Sequence, residues 1–374
     1  MTTSSFAGMY ASTLDLVAVA LRGLSAFGFT LGGEMPFTLR GSPGPHGPEV
    51  QPEGRSLRYT AIAALGLGRQ SEQVQREVLG GADAAAMARS CLALAADSPD
   101  PGAVALALWA AGEVAGVSDE ALAARLLEAV RRPSVATVDC AWAVVAGLAM
   151  PAGTTTSSLA HEAMAKLIAH QGPMGTFPHA LPQSGGLRGH VGSFADQIYP
   201  IQALVRYAAR TGDPSALNAA ETTARRIVDL QGSSGQWWWH YDARTGDVVE
   251  RYPVYSVHQH GMAPMVLSEL AEAGGTDHRE AVQRGFSWLW THPECVEPLV
   301  APDLGVVWRK VGRREPFKAA RAAGALASRV RPGSDVPFVD RIWPAGRVDY
   351  ECRPYELGWL LYASGSAMQE GSRA

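Results

Sequence analysis

Apolar residues return at helical spacing along nearly the whole chain, and no other periodicity competes with them. Leu122, Leu126, Leu127 and Val130 line one face of residues 119–131. Ile201, Leu204, Val205 and Ala208 do the same in 200–210, and Leu217, Ala220, Ala224 and Ile227 in 215–230. Steps of three and four residues are those of an amphipathic helix. Boundary signals agree: Asp213 before Pro214 reads as an N-cap with proline in the first turn. Asp277 with Glu280 resembles a capping box, and Gly274-Gly275 suits a helix end. Further helices are expected at 14–26, 56–67, 83–95, 103–115, 134–150, 158–170, 280–290 and 317–330. About a dozen helices on short connections predict an all-α chain, a single domain over 1–374, built as an (α/α)6 toroid of helical hairpins; a linear solenoid would need the same count. Residues 41–54, rich in proline and glycine, read as an irregular loop, and 185–192 as a glycine-rich loop carrying Arg188 and His190. One small β-hairpin insertion is expected at about 237–252, with its turn at 243–247.

Composition narrows the function classes. With 47% hydrophobic residues the chain can bury a large core, and a net charge of −4 gives no general pull toward nucleic acid or an anionic membrane. Cys91, Cys140, Cys295 and Cys352 are scattered, without disulfide or zinc spacing. Asp15 and Arg22 interrupt the best apolar run near the start, so neither a signal peptide nor a transmembrane segment is expected. Cytoplasmic residence with reduced thiols follows as the default.

Two of the helices end alike. Gln171-Gly172-Pro173-Met174-Gly175-Thr176-Phe177 follows one, and Gln231-Gly232-Ser233-Ser234-Gly235-Gln236-Trp237 follows another. Both fit Gln-x-x-x-Gly-x-aromatic. Glutamine can bond a free helix end, glycine permits a sharp turn, and the ring packs on the next helix. Residues 284–289 resemble the helix that precedes such a stop, without the glutamine. The pattern resembles the QW repeat of the terpenoid cyclase and protein prenyltransferase superfamily, whose domains are α/α toroids. That resemblance implies an isoprenoid substrate in a central funnel, as in natural-product biosynthesis, and squalene–hopene cyclases are matched in the repeat only. Their catalytic acid is the middle aspartate of a DxDD motif. In Thr137-Val138-Asp139-Cys140-Ala141 only Asp139 matches, and burial beside Trp142 would raise its pKa as a general acid requires. No DDxxD cluster for magnesium diphosphate, no zinc-prenyltransferase motif and no LanC-like zinc set is present, so no protein-bound metal is expected. Cofactors stay open, with Mg2+ entering only through a substrate diphosphate.

Polar and aromatic residues concentrate in a few places. Trp237-Trp238-Trp239-His240-Tyr241 cannot all face one core, since strand side chains alternate, so part of this run is expected to bind substrate. Tyr255, His258 and His260 precede Pro264 and are expected at a helix start around the funnel mouth, the two histidines sharing a face of an extended stretch. They are the acid–base candidates, with Asp139. From Trp308 to Arg321 six cations gather, among them Arg309, Lys310 and Arg313, which suit a diphosphate or carboxylates. Arg353 and Tyr355, between Glu351 and Glu356, start the last helix and would meet the same funnel. His179, Asp196 and Tyr199 form a weaker patch.

Three functions compete for a small-molecule substrate. The first is a cyclase or prenyl-transferring enzyme on an isoprenoid. The second is a lyase, epimerase or hydrolase acting on a uronate-containing glycan, favoured by the many polar groups beside the tryptophans. The third is a binding or scaffold toroid without catalysis. Substrate, reaction type and self-association are not written in these residues.

Overall fold

A computed structural model describes residues 3–44, 47–294, 297–315, 319–334, 336 and 339–371. Cys295 and residues 316–318 of the basic segment lie outside the described residues. The helices are α1 (Thr3–Phe27), α2 (Leu57–Leu67), α3 (Glu72–Val78), α4 (Ala84–Ala95), α5 (Pro101–Ala115), α6 (Glu120–Arg131), α7 (Thr137–Ala149), α8 (Thr154–His170), α9 (Ala195–Thr211), α10 (Pro214–Asp229), α11 (Ala263–Glu272), α12 (Arg279–Thr291), α13 (Ala319–Val330), α14 (Val339–Ile342) and α15 (Pro354–Gly371).

Contacts between them draw a double ring. Helix α2 packs on α5, α5 on α7, α7 on α9, α9 on α11 and α11 on α15, and α15 closes on α2. Helices α1, α4, α6, α8, α10 and α12 alternate with these in sequence and pack outside them. The expected (α/α)6 toroid is therefore the fold, and the linear solenoid is not, because the last inner helix lies against the first.

Closure depends on missing side chains. A Cβ on Gly66 of α2 would stand 2.2 Å from the Gly358 carbonyl oxygen of α15, and one on Gly358 would stand 2.8 Å from that of Ile62. Two facing glycines thus let the backbones touch. The middle of the ring is filled by aromatic side chains from the inner helices. Trp109 and Trp359 lie 5.5 Å apart, Trp142 and Tyr199 4.9 Å, and the Trp359 indole donates to the Tyr199 hydroxyl at 2.8 Å.

The two ends of the inner ring differ. At the C-terminal end, Arg206 of α9 makes paired bonds of 2.7 and 2.8 Å to Glu269 of α11 and reaches Glu113 of α5 at 3.2 Å. Arg69, just past α2, also bonds Glu113, and both arginines donate to the Tyr362 hydroxyl of α15. Five of the six inner helices are tied there. The N-terminal end carries the loops and the small sheets.

Those sheets exceed the single hairpin expected. The insertion is present, His240–Asp242 pairing with Val248–Glu250, and Val191–Ser193 adds a third strand. Residues 41–54 are not an irregular loop: Thr38–Gly44 and Gly47–Glu53 pair antiparallel, and the first also pairs with Glu351–Cys352. Prolines at positions 43, 48 and 52 made this ribbon look like a loop, but an edge strand tolerates them. Lys310–Arg313 is a strand between Val254–Tyr255 and Ala345–Asp349. Among the described residues no helix is long and apolar enough to cross a membrane, and Cys91, Cys140 and Cys352 are buried free thiols.

Candidate active site at the inner helix N-termini

Three inner helices bring one ion cluster together. Asp100 caps α5, its side chain accepting from the Gly102 amide at 3.1 Å, and the same carboxylate grips the Arg58 guanidinium of α2, with Nε 2.6 Å from Oδ2. The Arg58 Nη2 also lies 3.1 Å from Asp139 Oδ1, in the first turn of α7. Gly102 makes this possible, since a Cβ there would stand 2.2 Å from that oxygen. Asp139 is the more enclosed carboxylate, 12% exposed against 40% for Asp100. Burial raises the Asp139 pKa and the Asp100 charge adds to the rise, against the pull of Arg58. At Asp100 burial is outweighed by the bonds from Arg58 and from backbone amides, and its pKa falls. Two neighbouring carboxyls pushed in opposite directions are the usual mark of an acid beside a permanent charge.

His179 stands at the edge of this cluster. Its Nδ1 lies 3.2 Å from Oδ2 of Asp196, a fully buried carboxylate that also accepts from the Ser193 amide and hydroxyl at 2.7 Å. The bond to Asp196 raises the His179 pKa; Asp139 adds to the rise and Arg188 opposes it. The His179 carbonyl accepts from the Thr137 amide, two residues before Asp139, at 3.0 Å, and its ring is 73% exposed.

Around the opposite arc, the Arg309 guanidinium lies 5.0 Å over the Tyr255 ring, and Arg353 donates to the Tyr59 hydroxyl at 3.0 Å while Tyr59 packs on Tyr355. Tyr255, Arg309, Arg353 and Tyr355 thus share the mouth expected for them. Their charges are already matched. Arg309 is 3.4, 3.6 and 3.8 Å from Asp349, Glu351 and Glu356, Lys310 is 2.8 Å from Asp349, and Arg353 is 3.0 Å from Glu351. Arg313 leaves this group, its guanidinium over the Tyr252 ring. Lys310–Arg313 of the basic segment is a strand, and the strand beside it carries Asp349, which pairs Arg309 and Lys310.

Other expected positions change. Trp237 and Tyr241 are buried in the core, and Trp238 donates to the Leu230 carbonyl and packs on Tyr252. Trp239 does reach the mouth, where the His240 ring lies 3.9 Å from it and the Arg321 guanidinium 4.0 Å over it. His258 and His260 do not share an extended face; they lie in a π-helical turn, His258–Met262, that runs into α11. Both are buried and pushed down to about 3 by burial, hence neutral, and His258 stacks on Phe194 at 4.3 Å. Both lie in the wall between α9 and α15, and the His258 ring is 5.0 Å from that of Tyr255.

Arg58 and Asp100 escaped sequence reasoning. Asp100-Pro101 has the form of an ordinary capped helix start, as at Asp213-Pro214, and a cap carries no sign of what its second oxygen holds.

No protein-family model matches the chain, and no curated protein matches it by sequence. Solved structures do match in shape. The fold is similar to that of unsaturated glucuronyl hydrolases. An unsaturated glucuronyl hydrolase specific for heparin superposes with a TM-score of 0.56 at 14% identity, covering 97% of each chain. One from Bacillus sp. GL1, responsible for the degradation of glycosaminoglycan, gives 0.56 at 13% over 96% of each. A possible GH105 family member from Salmonella enterica gives 0.57 at 9% identity, covering 96% of this chain and 94% of that one. These neighbours overturn the resemblance to terpenoid cyclases and prenyltransferases, and with it the isoprenoid substrate. The Gln-x-x-x-Gly-x-aromatic ending belongs to hairpin geometry, not to isoprenoid chemistry.

Proposed function

We propose that this protein is a glycoside hydrolase that removes a uronate residue, an unsaturated glucuronyl group being the best candidate, from a glycan. The reading is carried by the Arg58–Asp100–Asp139 cluster at the mouth of the toroid. Asp139 is the general acid: burial favours its protonated form, and the leaving oxygen is the site that needs a proton. Asp100, held ionised by Arg58 and backbone amides, stabilises positive charge developing on the sugar ring. A His179 cation faces the negative substrate. Six inner helix N-termini direct their partial positive charge to the same end, which favours an anionic sugar. The shape neighbours support the substrate class, since several structures that share this barrel are, by name, unsaturated glucuronyl hydrolases.

The test is a hydrolysis assay on unsaturated glucuronyl disaccharides, following loss of the conjugated enoate absorbance. Turnover by the parent chain, with Asp139→Asn slower by about 10²–10⁴-fold and folded by circular dichroism, is the expected result. An Asp139→Asn chain as fast as the parent removes Asp139 as the acid. No turnover of any uronate-bearing glycan by the parent overturns the hydrolase.

A further inference from the structure

Two features that the hydrolytic cluster does not use meet in space. Arg188 comes from the glycine-rich loop 185–192, and Arg321 from α13 at the end of the basic segment. The Arg188 guanidinium donates to the Arg321 carbonyl at 3.1 Å, which fixes one residue against the other. Both guanidinium groups point toward a single carboxylate, Glu250 Oε2, at 4.0 and 3.8 Å. Neither is within hydrogen-bond reach. That oxygen is instead 2.9 Å from His240 Nδ1. Arg321 Nε is buried and makes no hydrogen bond among the described residues. Arg188 Nη2 lies 3.3 Å from the same His240 nitrogen. A ring nitrogen that donates to a carboxylate cannot also accept from a guanidinium, so Glu250 and Arg188 compete for this one nitrogen.

The arrangement is rigid and holds like charges together. Arg321 is stacked on Trp239 at 4.0 Å, and Trp239 on His240 at 3.9 Å. Burial and the nearness of Arg321 both lower the Arg188 pKa, the cost of two cations side by side. Glu250 lies beneath, 4% exposed, while Arg188 and Arg321 are 34% and 25% exposed. An anion arriving from solvent would meet the guanidinium groups and not the carboxylate. Arginine's planar fork is suited to a carboxylate or a sulfate ester. The pair also lies beside the hydrolytic cluster, because Ser193, the strand partner of His240, bonds the same Asp196 carboxylate that holds His179.

We propose that Arg188 and Arg321, fixed by Trp239 and Glu250, form a specificity site for an anionic substituent, carboxylate or sulfate, on the glycan bound at the mouth. The identity of the ligand as a glycan rests on the hydrolase reading; the anion site itself does not. Glu250 then acts as a built-in competitor that keeps the two cations together while the site is empty.

The experiment is calorimetric titration in an Asp139→Asn background, where turnover is slowed, with a sulfated unsaturated disaccharide, its desulfated counterpart and inorganic sulfate. Arg321→Gln and Arg188→Gln are expected to weaken binding roughly ten- to hundredfold. Glu250→Gln is expected to tighten it, an outcome that damage to the fold would not produce. Loss confined to the sulfated sugar and inorganic sulfate assigns the anion as sulfate; equal loss for both disaccharides assigns it as the uronate carboxylate. Arginine variants that bind as tightly as their parent, or a parent that binds none of the three, overturn the site. Arginine-dependent binding with no turnover by the Asp139 chain removes the hydrolase and keeps the site. Turnover with KM unchanged in both arginine variants removes the site and keeps the hydrolase.

Discussion

At the residue scale the most informative group is Asp139, because its neighbours pull its pKa in opposite directions. Arg58 lowers it and Asp100 raises it, while burial is the largest influence and raises it. A general acid works only while protonated, so the rate falls as pH rises through this pKa. Two substitutions should move that alkaline limb in opposite directions. Arg58→Gln removes the attraction and carries the limb to higher pH; Asp100→Asn removes the repulsion and carries it to lower pH. Profiles of kcat/KM against pH for the two variants check this, and limbs that both stay at the parent's position would show that another group titrates. Asp139 was visible in the sequence as a lone carboxylate near Trp142. Its partners were not, because Arg58 and Asp100 are far from it in sequence and are joined only where three helices start together.

At the element scale, the repeated helix ending explains how hairpins hold their neighbours. The Gln171 amide donates to the Gly175 carbonyl at 3.1 Å, closing its own turn, and reaches across to the Ala219 carbonyl and Thr223 hydroxyl of α10 at 2.9 Å. Gln231 repeats this with Gly235 and with Ala281 of α12. The sequence suggested a glutamine bonded to a free helix end; the structure shows one bonded to its own turn and to the side of the next outer helix. Gly175 and Gly235 have φ of 88° and 96°, and each turn presses on the next helix, so both conformation and space call for glycine. Gln171→Ala removes these bonds while the Thr223 hydroxyl still donates to the same carbonyls, and should cost about 0.5–1.5 kcal/mol, read from urea denaturation. Gly66→Ala, which drives a methyl group into the α15 backbone, should cost about 1–3 kcal/mol as overpacking. A Gly66→Ala chain as stable as the parent would show that closure tolerates a wider gap.

For the whole molecule the division of labour is between the two ends of the ring. Arg206 ties α5, α9, α11 and α15 together at the closed end, and replacing it with leucine would leave Glu269 without its cation, holding only Gln202, while Glu113 keeps Arg69. Removing one partner of such a buried network typically costs about 3–5 kcal/mol, so Arg206→Leu should unfold at clearly lower denaturant while the mouth keeps its residues. The open end has its own pH signature. Burial pushes both Glu250 and Glu356 up to about 7 from an unfolded value of 4.5. The folded state keeps these two protons where the unfolded chain has lost them, so the two glutamates make stability fall as pH rises from 4.5 to about 7. The buried neutral His258 and His260 act the other way between about 3 and 6.5, where the unfolded chain binds the extra protons. The melting-temperature difference between the parent and Glu250→Gln isolates the glutamate: the parent's advantage should shrink from about pH 5 to 7, and an advantage that grows would contradict the sign.

What the sequence determined by itself was the ring. Helical spacing, capped starts and glycine stops are local properties of short segments, and they specify a dozen hairpin helices whatever the substrate, which is why the toroid was legible. The same local character misled on function, since Gln-x-x-x-Gly-x-aromatic describes a turn and not a reaction. Tertiary structure decided the rest. Only folding shows that Trp239 carries the Arg321 guanidinium, that His260 is buried in the wall, or that the cations at 309 and 310 meet the carboxylate at 349. Burial and charge pairing depend on residues distant in the chain, and they alone set which aspartate holds a proton and which arginine is left to bind an anion.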